Sequence, residues 1–456
     1  MKMATGRRDE PSTVYRWYVV LLLLLVSIFA YIDRVVFALL IDPLKTDLRI
    51  SDTQAGALVG LAFTISYAFA GLAFGRIVDK SRRNVVLGVA LAGWSLFTML
   101  SGFTAGVASL FLARCGVGIG ESAVNPASIA IISSSFPRER VSYGLSVFAI
   151  GIYGGGGLAI VLGGQLAAYL TSLGPISVFG SHIAVWRLVF VCVGAPGMLL
   201  APVVWLTVQD QRSTPKPGIQ GTAHLRSATS LRAVFTYARN QGSLYPLLFG
   251  GLIAFSFYSY AVQGWLPAML SRTYGLTPRE ISIYYGIPYL VCGVAGALIA
   301  GATIRWFDSR HRRDSTVLVC QWTTILAFVP AILGPLSHSP EVAIACVVTV
   351  IFLAAIQHST AFTTYVLVTP EGMRGQVIAA HVMALNVFSG TLGGIVVGLL
   401  SDHVFGGARL GRGLSVVAAI GMPTAALLFS LLRPVYRAAI ADQLALSELT
   451  VPSEQM

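Results

Sequence analysis

The chain has 456 residues, of which 55% are apolar and only 11% charged, and its mean hydropathy is +0.75. Soluble domains carry about 25% charged residues, and a soluble core cannot enclose so large a share of apolar surface. The net charge of +12 does not mark a nucleic-acid binder, because the basic residues fall in alternate loops between apolar runs.

A helix needs about 20 apolar residues to cross a bilayer. Runs of that kind place spans over 17–41, 54–78, 85–104, 109–135, 141–168, 187–207, 244–270, 281–304, 316–336, 341–368, 375–402 and 411–436. The long polar gap 208–243 contains RSTPKPGIQG, which reads as a linker. The expected fold is therefore an all-α membrane protein of twelve helices in two pseudo-symmetric bundles. An N-terminal six-helix bundle (1–207) is followed by a cytoplasmic linker (208–243), a C-terminal six-helix bundle (244–436) and a cytoplasmic tail (437–456). With the N-terminus inside, 21 basic residues lie on inner segments and 6 in outer loops, which puts both termini in the cytoplasm. The N-terminal stretch has basic residues and then LLLLLV, but no convincing small-residue cleavage site precedes the charged pair. It reads as an uncleaved first span.

The first span carries Asp33 and Arg34 side by side within apolar sequence. Ionisable groups at that depth are costly unless paired or facing a wet cavity. The fourth span carries two more, Arg114 and Glu121. Asp33 lies roughly 24 Å from the inner boundary and Arg114 roughly 8 Å from the outer one, nearly the same level. Asp33 and Arg34 point about 100° apart around their helix, so each needs a partner on another helix. One reading is a proton switch. A buried carboxylate beside an arginine stays ionised, and when the arginine is withdrawn, desolvation favours the protonated acid. Glu121 or Asp33 carries the proton in that reading, with Arg34 and Arg114 as alternating partners. The other reading is a static ion pair that pins the first span to the fourth.

GVGIGES (116–122) has glycines like a phosphate loop, but it follows no strand and lies within a span; it is read as close helix packing. GIYGGGGLAIVLGGQL (151–166) in the fifth span suits a bendable helix or tight packing. In FSFYSYAVQGWLPAML (255–270), Tyr258, Tyr260 and Gln263 are candidates to line a substrate cavity, while Trp265 suits interfacial anchoring. His358 in the tenth span is a further cavity candidate; His381 in the eleventh is a weaker one. No HExxH and no nucleophile–base–acid set is present, so neither a metal site nor an enzyme is expected. Cys115, Cys192, Cys292, Cys320 and Cys346 lie in apolar runs without a CxxC pair, and read as buried packing thiols.

The halves echo each other. FPRERVSYG follows the fourth span and TPEGMRGQV the tenth; GRIVDKSRRN follows the second and RWFDSRHRRD the eighth. A repeated six-helix unit is how one large class of transporters is built.

GRIVDKSRRN (75–84) resembles the loop signature of the major facilitator superfamily, with Arg82 where that signature has a second glycine. YIDR in the first span, ARCGVGIGESAVNPA in the fourth and WRLVF with GAPG in the sixth are similar to spinster-type members, which also lack that glycine; WLPAML is the best short element of the second half. The resemblance implies an alternating-access carrier. Asp33, Arg34, Arg114 and Glu121 match positions linked to proton coupling and gating, and Gly75, Asp79 and Arg83 match a cytoplasmic latch. In that latch Asp79 pairs with an arginine when the inner gate is shut. Spinsters are associated with lysolipids and sphingoid phosphates, and the related organic-anion:cation symporters share much of the pattern.

The expectation is a proton-coupled secondary transporter, monomeric, in the inner or plasma membrane. It needs no bound cofactor beyond a transmembrane proton gradient. Its partners are a small-molecule substrate and the lipid bilayer, and no nucleic acid. The aromatic, small and polar cavity residues suit an amphipathic cargo such as a lysolipid or sphingoid. The alternatives are a symporter of sugar acids or other small carboxylates, and a non-transporting receptor on the same fold.

Overall fold

The computed structural model describes residues 12–137, 140–178, 181–210, 231–310, 312, 314–370 and 372–449. Much of the expected linker, with all but the first residues of its stretch before 231, lies outside these residues, as do Arg138 and Arg313 and the end of the tail.

Among the described residues, twelve segments are long and apolar enough to cross a membrane. They are Thr13–Leu39, Asp52–Lys80, Arg83–Ser101, Val107–Ser135, Tyr143–Ser172, Val185–Thr207, Leu244–Tyr274, Pro278–Asp308, Ser315–Leu336, Pro340–Val368, Arg374–Phe405 and Gly407–Asp442. They coincide one for one with the expected spans. The face carrying Thr13 and Leu449 is called the terminal face below, and the opposite one the far face.

The packing is a six-plus-six repeat. The first span packs on the fifth and the seventh on the eleventh; the third packs on the sixth and the ninth on the twelfth; the second packs on the fourth and the eighth on the tenth. The halves meet where the fifth span crosses the eighth and the second crosses the eleventh, two contacts exchanged by the same pseudo-twofold.

Three local features depart from the sequence reading. Leu231–Asn240, inside the expected linker, is an amphipathic helix. Its Tyr237 hydroxyl donates to the Val368 carbonyl at 3.3 Å, tying it to the C-terminal half. The apolar positions Val234, Tyr237 and Ala238 follow helical spacing, but the flanking Arg232 and Arg239 and the shortness of the run mask it. The last helix runs on to Leu449, past the expected start of the tail. A two-stranded hairpin, Ile176–Val178 with Ser181–Ile183, joins the fifth and sixth spans. Among the five thiols, Cys320 is buried but Cys192 is exposed on the outward face of the sixth span, against expectation. An apolar run does not say which side of its helix a residue occupies.

The glycine-rich fifth helix is continuous over Val141–Ser172. A Cβ at Gly155 would lie 2.7 Å from the Tyr31 side chain, and one at Gly156 would lie 3.0 Å from Tyr289. These glycines let the first and eighth spans approach closely, so packing explains them.

Candidate functional site

The charged residues of the first and fourth spans meet in the middle of the N-terminal half. Arg34 Nε donates to Glu121 Oε2 at 2.7 Å. Glu121 is fully buried, while the Arg34 side chain is 21% exposed. The fourth span breaks after Glu121 and restarts at Val124, which places the carboxylate at the end of a helical segment. The cross-helix pairing expected from the 100° offset is therefore realised for Arg34.

Asp33 behaves differently. Its carboxylate accepts from Thr98 Oγ1 of the third span at 3.1 Å. Arg114 reaches the backbone carbonyl of Asp33 at 3.4 Å, so the carboxylate–guanidinium pair expected at that level is not the bond that forms. The reason lies in the helix turn: once Arg34 faces the fourth span, its neighbour is rotated toward the third. Asp33 Oδ1, Glu121 Oε1 and Arg114 Nε are buried without a hydrogen-bond partner among the described residues. Three ionisable groups thus keep unused bonding capacity, a costly arrangement for a purely structural network.

The rings around this cluster were not predicted. The Arg34 guanidinium lies 4.5 Å from the Phe63 ring, 4.5 Å from Tyr67 and 5.1 Å from Tyr31. Arg114 lies 4.7 Å from Phe37 and 5.3 Å from Phe63. Across the boundary between the halves, Tyr153 bonds His358 Nδ1 at 3.1 Å, and within the C-terminal half Ser256 bonds His358 Nε2 at 3.2 Å. Gln263 lies beside the Tyr289 hydroxyl. Tyr31 lies within electrostatic reach of Tyr67, Tyr260 and Tyr289, Tyr153 within reach of Tyr31, Tyr260 and Tyr289, and Tyr260 within reach of Arg34, so that tyrosines of five different spans converge. Tyr31, Arg34, Tyr153, Tyr260, Gln263 and His358 are only half-buried although they sit mid-helix. Mid-span tyrosines in several helices were the one sequence signal that could have found this lining.

Two candidates of the seventh span are placed elsewhere. Tyr258 is fully buried and donates to the Ala331 carbonyl at 3.0 Å, inside the C-terminal half. Tyr260 and Gln263 share a helix face, and Tyr258 is about 200° from Tyr260 around the axis. Trp265 is also buried, donating to the Gly394 carbonyl at 2.8 Å, which removes it from the interfacial role. His381 packs between Phe249, edge-on, and Tyr365, tilted, in the C-terminal half, at centroid distances of 5.3 Å and 4.8 Å.

The halves are tied to each other on the far side. Arg272 binds Asp52 and Asp42, Lys45 binds Asp52 at 2.6 Å, and Ser401 donates to Asp52 at 2.6 Å. Asp402 accepts from the backbone N–H groups of Asp52 and Thr53 at the start of the second span, 3.1 Å and 2.7 Å away. A carboxylate is well placed there, since free N–H groups and the helix dipole both favour an anion. Below these, Gly56 and Gly60 pack on Gly394, Gly390 and Thr391, and Thr64 bonds Thr391 at 2.6 Å.

The terminal-face residues are less engaged. Asp79 is exposed and makes no hydrogen bond or ion pair among the described residues, and a Cβ at Gly75 would meet nothing within 4 Å. Arg83 donates to the Ala130 carbonyl at 3.0 Å within its own half.

The model of the Major Facilitator Superfamily matches residues 23–393. A protein of Mycolicibacterium smegmatis described as an MFS-type efflux pump is 31% identical over 447 residues, 96% of this chain and 97% of its own. A probable L-galactonate transporter of Escherichia coli is 27% identical over 293 residues, 63% of this chain and 61% of its own. The crystal structure of a bacterial homologue of the human lysosomal transporter spinster, inward-facing and unoccupied, superposes with a TM-score of 0.75. It covers 95% of this chain and 99% of that one at 21% identity.

Proposed function

The chain belongs to the Major Facilitator Superfamily, and on that premise we propose that it is a proton-coupled secondary transporter working by alternating access. It is a multi-pass membrane protein with twelve apolar helices, related to spinster and sugar-acid transporters. The reading places it as a monomer in the inner or plasma membrane, with the terminal face in the cytoplasm.

The observation that carries the proposal is the Arg34–Glu121 pair: a fully buried carboxylate within the fourth span whose arginine side chain stays 21% exposed. Protonation of Glu121 releases Arg34, and its return expels the proton. Asp33 and Arg114 form the adjacent pair of groups that tunes the exchange. Asp52, Asp42 and Arg272 hold the far side shut, and Asp79, which has no partner among the described residues, is free to close the cytoplasmic latch of Gly75, Asp79 and Arg83 in the other state. The cargo occupies the tyrosine-lined space with Tyr260, Gln263 and His358. That lining suits an amphipathic molecule such as a lysolipid or sphingoid. A second reading, a sugar acid or small carboxylate, is favoured by the Arg34 guanidinium, which is only partly buried.

The test is proton flux in proteoliposomes against lysolipids and organic acids. Glu121→Gln is expected to remove the pH dependence of flux while the protein stays folded. If Glu121→Gln leaves flux and its pH dependence intact, the switch is wrong. If no cargo moves under any gradient, the receptor reading replaces transport.

A further inference from the structure

Arg34 is bonded at one end only. Its Nε donates to Glu121, and among the described residues no hydrogen bond engages either Nη group. The Nη pair is the end of a guanidinium that grips a carboxylate or phosphate at two points. Here it is set in a box of three rings, and one of them, Phe63, is shared with a second guanidinium, Arg114. Phe63 and Tyr67 stand one helical turn apart on the second span, stacked at 5.6 Å and 27°. Tyr67 is fixed in turn by Asn125, which donates to its hydroxyl at 3.2 Å.

We propose that Phe63 is a positioning residue: it holds the Arg34 guanidinium in place when Glu121 lets go, so that the Nη end binds an anionic group of the cargo. This rests on the Arg34–Glu121 switch and adds the cargo's head-group charge and the residue that makes the exchange possible. Two cations near one another repel, and a ring face between them offers both a negative quadrupole. An arginine released from its only carboxylate inside an apolar bundle otherwise turns away toward water or the remaining acid. The ionisable groups that face it are Glu121 and Arg114 on the fourth span, Tyr31 on its own span, Tyr67 on the second and Tyr260 on the seventh, while Asp33 is turned toward the third span. Apart from Glu121, these bring no negative charge. An incoming anion therefore competes with Glu121 for Arg34.

The probe is hexyl phosphate, titrated into the full-length protein in nanodiscs and followed by intrinsic tryptophan fluorescence. The wild type is expected to bind it saturably. Glu121→Gln, which frees Nε, is expected to bind it more tightly. Phe63→Leu keeps the apolar volume but removes the quadrupole, and is expected to weaken binding about tenfold; Phe63→Tyr restores it. Restoration by tyrosine separates a ring effect from a folding defect. Binding by Phe63→Leu within about twofold of wild type overturns the positioning role, and absence of saturable binding in the wild type overturns the anionic cargo. If Glu121→Gln abolishes pH-dependent flux while Phe63→Leu binds normally, the switch stands and this inference alone fails.

Discussion

Arg272 and Asp52 meet through two parallel hydrogen bonds, Nη1 to Oδ2 and Nη2 to Oδ1, each 2.9 Å, across the boundary between the halves. Asp52 is fully buried, so this pair lies in the seam itself. Removing one partner of a buried ion pair costs up to about 3–5 kcal/mol, and less here, because Lys45 still pairs with Asp52 when Arg272 is gone. In a transporter with two access states, that cost falls on the state in which the pair is made. Arg272→Ala is therefore expected to shift the population toward opening on the far side. A cysteine placed at Gln263 in a background without native cysteines reports it. Its labelling by an impermeant maleimide from the far face should rise at least about tenfold, and an unchanged rate removes Arg272 from the gate.

The glycines beneath that pair make a second, independent prediction. A Cβ at Gly60 would lie 2.7 Å from the Thr391 carbonyl oxygen and 2.8 Å from that of Gly390, both backbone atoms that cannot step aside. Gly60→Val is expected to fold but fail to close the far side, abolishing transport while the Gln263 cysteine stays labelled from that face. Gly93→Ala, where a Cβ meets nothing within 4 Å, should behave as wild type.

Tyr258 and Tyr260 differ by two positions and face opposite ways. Tyr258→Phe strands the Ala331 carbonyl and should cost about 1 kcal/mol of stability without altering transport. Tyr260→Phe should leave thermal stability near wild type and change the KM for cargo. Reversal of the two phenotypes would place the cavity on the wrong face of the seventh span.

Asp314, outside the spans on the terminal face, is held below the usual carboxylate range by Arg437 and Arg433, which outweigh the opposing effect of its burial. A carboxyl whose folded value is depressed contributes stability that is complete above its unfolded value, about 3.9, and disappears as pH falls through the folded value. Asp314→Asn should therefore lower the melting temperature at neutral pH and reduce the loss of stability below about pH 4. Thermal unfolding from pH 3 to 7 measures both. Parallel curves for the two proteins would contradict the coupling.

Arg34→Ala leaves Glu121 buried without its hydrogen-bonded guanidinium, which favours the neutral acid. Flux should lose its pH response while the protein remains folded. An unaltered pH profile counts against the exchange of Arg34 between Glu121 and cargo.

The sequence by itself determined the number of spans, their order, the two-half repeat and the depth at which charge enters the membrane. Those are one-dimensional properties: hydrocarbon thickness sets a length, and a helix converts residue number into depth at a fixed rise. It also marked Arg34 and Glu121, because charge in an apolar run is expensive wherever the run folds. Only the tertiary structure decided that Arg34 takes Glu121 while Asp33 takes Thr98, that Tyr258 enters the C-terminal half while Tyr260 faces the boundary between the halves, and that Phe63 sits between two arginines. Each of these depends on the rotation of a helix about its own axis and on which distant helix lies against it. A uniformly apolar span holds little record of either.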